Sequence, residues 1–333
     1  MTIELKTQSI KPLRHTFAHV AREIGGDKPA SRYQEATLGT QPTGPFHYRP
    51  IWAPEHEIFD PGRTALKMKN WYAFKDPRQY YYGNWTQTRA RQQETMEANF
   101  AFVESRGLVS QLPGTVSAAA LDLLMPLRHV AWGANMNNSS ICAYGYGSTS
   151  TAPAMFCAMD QLGIAQYLTR IGLLLADTEA LDQGKRDWLE APRWQELRRY
   201  VEDTFVVQDW FELFVAQNFV LDGLLYPLVY GAVINDWLSQ KNGTAVAILT
   251  SFMSDWTLEQ AKWVDAQVKT ACAESEENRA LVAGWTDAWR DRALTALRPI
   301  VEHAFEDPAH TGAVLEEVTE QFNARAARLG LPR

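Results

Sequence analysis

Carboxylates and histidines spaced three residues apart on long helices can hold a pair of iron ions. Positions i and i+3 share one helix face, so a Glu-x-x-His on each of two helices converges with single glutamates from two others. The stretch MDQLGIAQYLTR, residues 159–170, has the shape of such a helix, yet Asp160 is followed by the amide Gln161 and then by the hydrocarbon Ile164. The seven histidines are His15, His19, His47, His56, His129, His303 and His310, and none has a glutamate three residues before it. Asp307/His310 comes nearest, and Pro308 between them places that pair in a loop.

Other constellations carry less. Glu94 with Glu97, Asp209 with Glu212 and Asp255 with Glu259 lie along helical stretches and read as solvated faces or ion pairs. The rival reading is a carboxylate-only metal oxidase built on Glu94 or Glu97, Glu212 and Glu259. There is no G-x-S-x-G, Walker loop or G-x-G-x-x-G, and YGYGS at 144–148 reads as a turn. His129 reads as a hydrogen-bonded structural histidine. Trp194, Trp210, Trp256, Trp263, Trp285 and Trp289 read as core or interface anchors.

The chain has 333 residues, 46% of them hydrophobic and 12 of them Trp, which is material for a large core. A net charge of -7 gives no basic footprint for nucleic acid. Cys142, Cys157 and Cys272 are too scattered for a disulfide framework or zinc site and suit reduced thiols in the cytoplasm. The first fifteen residues carry charges where a signal peptide needs an apolar run. The most apolar segment, FVLDGLLYPLVYGAV from Phe219, contains Asp222 and Pro227 and reads as a buried helix rather than a membrane span.

Prolines at 12, 29, 42, 45, 50, 54 and 61 forbid a long helix in the first sixty residues, where aromatics nonetheless persist. We read 1–63 as an extended N-terminal arm, wrapped on its own domain or laid across a partner, and 64–333 as one helical domain. Helices are expected over 84–106, 115–132 with a kink at Pro126, and 154–175. A further one, about 45 Å long at ~1.5 Å per residue, is expected over 193–222 after Pro192. Residues 244–283, with a turn near 274, 285–298 and 312–329 complete the set, and no strand or hairpin pattern occurs. The class is all-α, a bundle of long helices.

Several stretches carry a family likeness: DKPASRYQEA (27–36), FHYRPIW (46–52), DPRQYYYG (76–83), PLRHVAWGANMNNSSI (126–141), RYVEDTFVVQDWFEL (199–213) and AQNFVLDGLLYPL (216–228). On these the chain resembles the β subunits of bacterial multicomponent phenol hydroxylases, within the wider family of toluene and methane monooxygenase β subunits. The resemblance implies a ferritin-like fold and an (αβγ)2 hydroxylase whose α subunit carries the di-iron centre. It also implies a small effector protein and a reductase with FAD and a 2Fe-2S cluster, fed by NADPH. The family's α-subunit motif, Asp-Glu-x-x-His after a Met, falls here on Met159, Asp160, Gln161 and Ile164, so the ligand positions Gln161 and Ile164 are vacated. The second such motif falls on 254–263, where neither Trp256/Glu259 nor Thr257/Gln260 supplies the pair. An amide oxygen is neutral and isoleucine has no lone pair, so neither suits a hard iron ion.

The resulting expectation is a non-catalytic structural subunit with no active site, metal or cofactor of its own. Its partners are the α and γ subunits, the effector and the reductase, with no nucleic acid and no membrane. Contact with α is expected at Tyr33, Tyr48 and Trp52 of the arm and at Asn135, Asn137 and Asn138 of the polar NMNNSS segment.

Overall fold

The computed structural model describes residues 16–26, 29–42, 44, 47 and 49–332. Among them there is no strand. Two short helices, α1 (Ala18–Ile24) and α2 (Arg32–Thr37), belong to the arm. The bundle begins with α3 (Tyr82–Ser105), α4 (Gly114–Tyr144) and α5 (Ser148–Leu175), followed by α6 (Thr178–Glu190) and α7 (Pro192–Thr204). A central helix spans Trp210–Leu238. It alternates α8 (Trp210–Phe214), a π-helical segment Val215–Leu221, α9 (Asp222–Tyr226) and a second π-helical segment Pro227–Leu238. Then come α10 (Thr244–Leu249), α11 (Ser251–Glu274), α12 (Glu276–Phe305) and α13 (Pro308–Arg328).

Local signals set most boundaries. Ser31 and Gln34 form a reciprocal capping box at α2, and Pro192 occupies the first turn of α7. The expected helix over 193–222 is in fact two. Asp209 accepts the amides of Phe211 and Glu212 and starts a new helix there, while its other oxygen takes the Ala65 amide at 2.6 Å. The central helix then runs through Pro227, where a second stretch of wide i→i+5 turns begins. α4 likewise runs through Pro126, twelve residues past the expected end at 132. Pro308 stands in the first turn of α13 with Asp307 as its cap, so His310 is on a helix and not in a loop.

α4 and α5 form the most extensive helix pair, and one hydrophobic core extends through the bundle. Trp194, Trp256 and Trp263 are among its largest fully buried side chains. The central helix is apolar and long enough to cross a membrane, but 89% of its apolar window is buried inside the protein. α6 lies so close to α4 that a Cβ at Gly184 would stand 2.3 Å from Met125 Cβ.

The described part of the arm is stitched to its own bundle. The Tyr33 hydroxyl accepts the Asp76 amide at 2.9 Å, Gln41 accepts the Gly147 amide, and the Ser148 hydroxyl donates to the Thr37 carbonyl. Val20, Leu38 and Ala53 are buried.

Candidate functional site

α5 presents Asp160, Gln161 and Ile164 inward, all at most 4% exposed, and Met159 and Leu162 outward. Gln161 faces the central helix. Its Nε2 stands 3.5 Å from Asp222 Oδ2, and its Oε1 accepts the Tyr226 hydroxyl at 3.3 Å. Asp222 takes the Gln217 amide at 2.9 Å, and Gln217 in turn accepts Asn137 Nδ2 at 2.8 Å. Beside them Asn138 and Asn218 exchange two amide bonds of 3.0–3.1 Å, and the Cys157 thiol reaches Asn218 Oδ1 at 3.5 Å. Burial pushes the Asp222 carboxyl up to about 7 against its bond from Gln217. Burial also raises the Cys157 thiol and the Tyr226 hydroxyl well above their ordinary values.

The space left between Leu127, Ile164, Gln161, Asp222 and Tyr226 is about 10 Å³. That is room for one water molecule at most, so side chains have packed over the interior. Among the described residues no three His, Cys, Asp or Glu side chains gather as a metal-binding group. Among the described residues, Asp222 is the one carboxylate that lines this space with Gln161 and Ile164. An amide, a hydrocarbon and one carboxylate do not fit a pair of iron ions.

The second cluster is centred on Asp160, the residue before Gln161, where a guanidinium supplies the positive charge. Asp160 accepts Trp85 Nε1 at 3.1 Å, Trp256 Nε1 at 3.0 Å and both Nε and an Nη of Arg89 at 2.7 and 2.6 Å. Arg89 also binds Glu259 at 2.8 and 3.0 Å, and Arg78 binds Asp76 and the Gln260 amide oxygen. Burial works to raise the Glu259 carboxyl, but the bonds from Arg89 and the charges of Arg89 and Arg78 outweigh it and hold the group below its ordinary value. Desolvation opposes the charge on Arg89 in the same way, and its bonds to Asp160 and Glu259 prevail. α3, α5, α11 and the segment before α3 are thereby tied at one point.

The carboxylates of the rival metal-oxidase reading do not meet. Glu94 is exposed, Glu97 pairs with Arg170, Glu212 accepts Trp289 Nε1 at 3.0 Å and Glu259 is held by Arg89. His129 is on α4 and stacks on Trp188, but its Nε2 has no hydrogen-bond partner, contrary to the expectation. Burial and then the charges of Arg128 and Lys185 lower it to about 4, so the ring is neutral.

Of the residues expected to touch a partner, Asn137 and Asn138 lie inside the bundle, 1% and 0% exposed, with their amides spent on Thr204, Gln217 and Asn218. Tyr33 is buried as well, bonded to the Asp76 backbone, so these three are internal residues. Asn135 sits on the α4–α5 seam and donates to the Ala158 carbonyl at 2.8 Å. Trp52 is 72% exposed, with its indole N–H on the Tyr144 hydroxyl. Tyr48 lies outside the described residues.

Sequence reasoning missed Asp222, Arg89 and an apolar outer face. The face comprises Trp132 and Met136 on α4 and Met155, Met159 and Leu162 on α5, each 37–49% exposed. The spacings 132/136 and 155/159/162 put each set on one side of its helix.

Comparison with known proteins gives the family. Residues 52–275 match the Methane/Phenol/Alkene Hydroxylase family, and the chain belongs to that family. It is 50% identical to the phenol 2-monooxygenase oxygenase component DmpL of Pseudomonas sp. (strain CF600), over 99% of this chain and 98% of that one. It is 43% identical to the oxygenase component MhpL of Acinetobacter pittii (strain PHEA-2), over 99% and 98%. The solved phenol hydroxylase of Pseudomonas sp. OX1 superimposes with a TM-score of 0.92 at 43% identity, covering 99% of both chains. A toluene 4-monooxygenase structure matches with a TM-score of 0.77 at 21% identity, covering 89% and 98%, which speaks for the fold alone.

Proposed function

We propose that this chain is the non-catalytic structural β subunit in the hydroxylase component of a multicomponent phenol monooxygenase. The observation that carries this is the packed-over interior at Gln161, Ile164 and Asp222, with Arg89 balancing the carboxylates beside it. The relatives' names supply the substrate class and the multicomponent system. In this reading the complex converts phenols to catechols with O2 and NADPH in the cytoplasm. A di-iron α subunit, a γ subunit, a small effector and a FAD/2Fe-2S reductase complete it, in an (αβγ)2 hydroxylase.

The chain contributes shape and contact. The outer face of α4 and α5 suits a subunit interface, because three methionines and a tryptophan give adaptable apolar area on the outward sides of two packed helices. Trp52 and the neighbouring Ile51, 91% exposed, offer a second anchor on the arm. Purification of the chain with and without the α subunit tests the reading. The expected result is oxidation of phenol only when α is present, with both chains in one complex. Stable separation of the two chains under all conditions contradicts it.

A further inference from the structure

α6 is fastened to the bundle by few side chains. Of its 13 residues only Gly184 and Trp188 are buried, although it packs on α4, α5 and α7. A helix with so little buried surface opens at lower cost than the core beside it. Gly184 sets the close approach to Met125, and Trp188 supplies most of the hold. Its ring stacks on His129 of α4, with centroids 5.7 Å apart and planes 16° apart, and meets Trp194 of α7 at 6.4 Å. Arg128 of α4 adds one bond, to the Leu181 carbonyl at 2.7 Å.

The place that His129 occupies suits a neutral ring only. Nε2 is buried without a hydrogen-bond partner. An imidazolium carries a hydrogen on both nitrogens, so the one on Nε2 would be a buried donor with no acceptor. The charges that act on the ring are two cations, Arg128 on its own helix and Lys185 on α6. Asp182 of α6 acts on Arg128, and Arg193 of α7 is held by Asp122 and Asp187. The charged residues of α5, Asp160 and Arg170, are bound to Arg89 and Glu97. Among the described residues no carboxylate pairs with His129. A cation over an indole ring is attracted to it. Burial and the two cations nevertheless hold the imidazole at about 4, against 6.5 for a solvated one. Once α6 has parted from α4 the ring stands in water and takes a proton at its ordinary value. The open form therefore binds more protons than the closed form between the two values, and acid favours opening there.

We propose that His129 is an acid-released latch for α6: protonation of its ring breaks the hold on Trp188 and lets the helix part from α4. With α6 goes one wall of a cavity of about 640 Å³, which Ala180, Gln183, Gly184 and Asp187 close on that side.

Hydrogen exchange of the full chain at pH 7 and pH 5, read by mass spectrometry and corrected for intrinsic exchange rates, tests it. The opening constant of residues 178–190 should rise roughly twentyfold from the higher pH to the lower, as one proton taken up on opening requires. That of α11, in the core, should not rise with it. His129→Phe keeps a ring against Trp188 and has no proton to take, so its α6 should open equally at both pH values. Should that variant fail to fold, Lys185→Glu alters only an exposed side chain and sets an anion where a cation stood. The rise should then shrink at least about twofold. Equal opening of α6 at both pH values overturns the proposal. So does a rise that persists in His129→Phe, one that Lys185→Glu leaves unchanged, or an equal rise in α11.

Discussion

Burial holds the Asp222 carboxyl near 7, against 3.8 for a solvated one, so the folded chain binds more protons than the unfolded chain between those two values. Stability therefore falls as pH rises through that window and stays reduced above it. Asp222→Asn removes the effect. The variant is expected to exceed the parent's stability at pH 8 by up to about 4 kcal/mol, with the difference vanishing near pH 4. Denaturant unfolding of both proteins at several pH values checks this, and a difference that does not change with pH contradicts it. The position was half-visible in the sequence. An aspartate inside FVLDGLLY must be buried if the run is a core helix, and a buried carboxylate needs donors. What could not be read was which donors, because Gln217 is five residues away but Gln161 is sixty-one. The vacated character of Gln161 and Ile164 came from family likeness, since nothing in their types alone marks an emptied site.

Arg89 is an element-scale device, since it joins α3 to α5 and α11 through Asp160 and Glu259. Arg89→Ala leaves Asp160, whose side chain is 2% exposed, without its cation. The expected loss is about 3–5 kcal/mol, and the double variant Arg89→Met/Asp160→Leu should lose less, because the Asp160 charge then goes with its cation and Glu259 keeps Arg78 at 3.7 Å. Urea unfolding of the two variants gives the comparison, and equal losses would count against the charge argument. Gly184→Ala probes the α4–α6 approach. With Met125 in the way, it should be destabilised by about 1–3 kcal/mol where an alanine in a helix would otherwise be favourable. A stabilised variant would show that the two helices can part freely.

Helix type was legible from composition, and helix ends were not always so. The break at residues 205–209 has no glycine or proline, yet Asp209 with Glu212 three positions on is a start signal that the long run of helix formers concealed. Pro227 is a different case. The run from Phe219 that contains it reads as one buried helix, and the helix does pass it, but with π-type turns whose register no propensity scale reports. The NMNNSS segment reads as surface in sequence because asparagine usually is. Here Asn137 and Asn138 face the central helix at the same depth, and their amides find Gln217 and Asn218, which makes polar burial affordable.

At the scale of the molecule, the arm and the bundle are one packing unit over the described residues. Tyr33, Thr37 and Gln41 bond to Asp76, Ser148 and Gly147. Removal of residues 1–63 should consequently lower the thermal midpoint of the bundle as well as weaken assembly, and an unchanged midpoint would show the arm to be energetically separate. The outer face of α4 and α5 was invisible in the sequence, because Met and Leu at helical spacing read as core until the inward set has been placed. Trp132→Asp lies away from the interior and should leave the fold intact while reducing recovery of the chain with α at least about tenfold. Undiminished co-purification would move the interface elsewhere.

In the proposed assembly this chain supports the chemistry without holding the metal. Iron analysis of the purified chain after reconstitution with ferrous iron, compared with the αβγ hydroxylase treated alike, tests it most directly. Stoichiometric iron is expected in the complex, with none retained by this chain alone. Two tightly held irons per isolated chain, lost on Asp222→Asn, would contradict it.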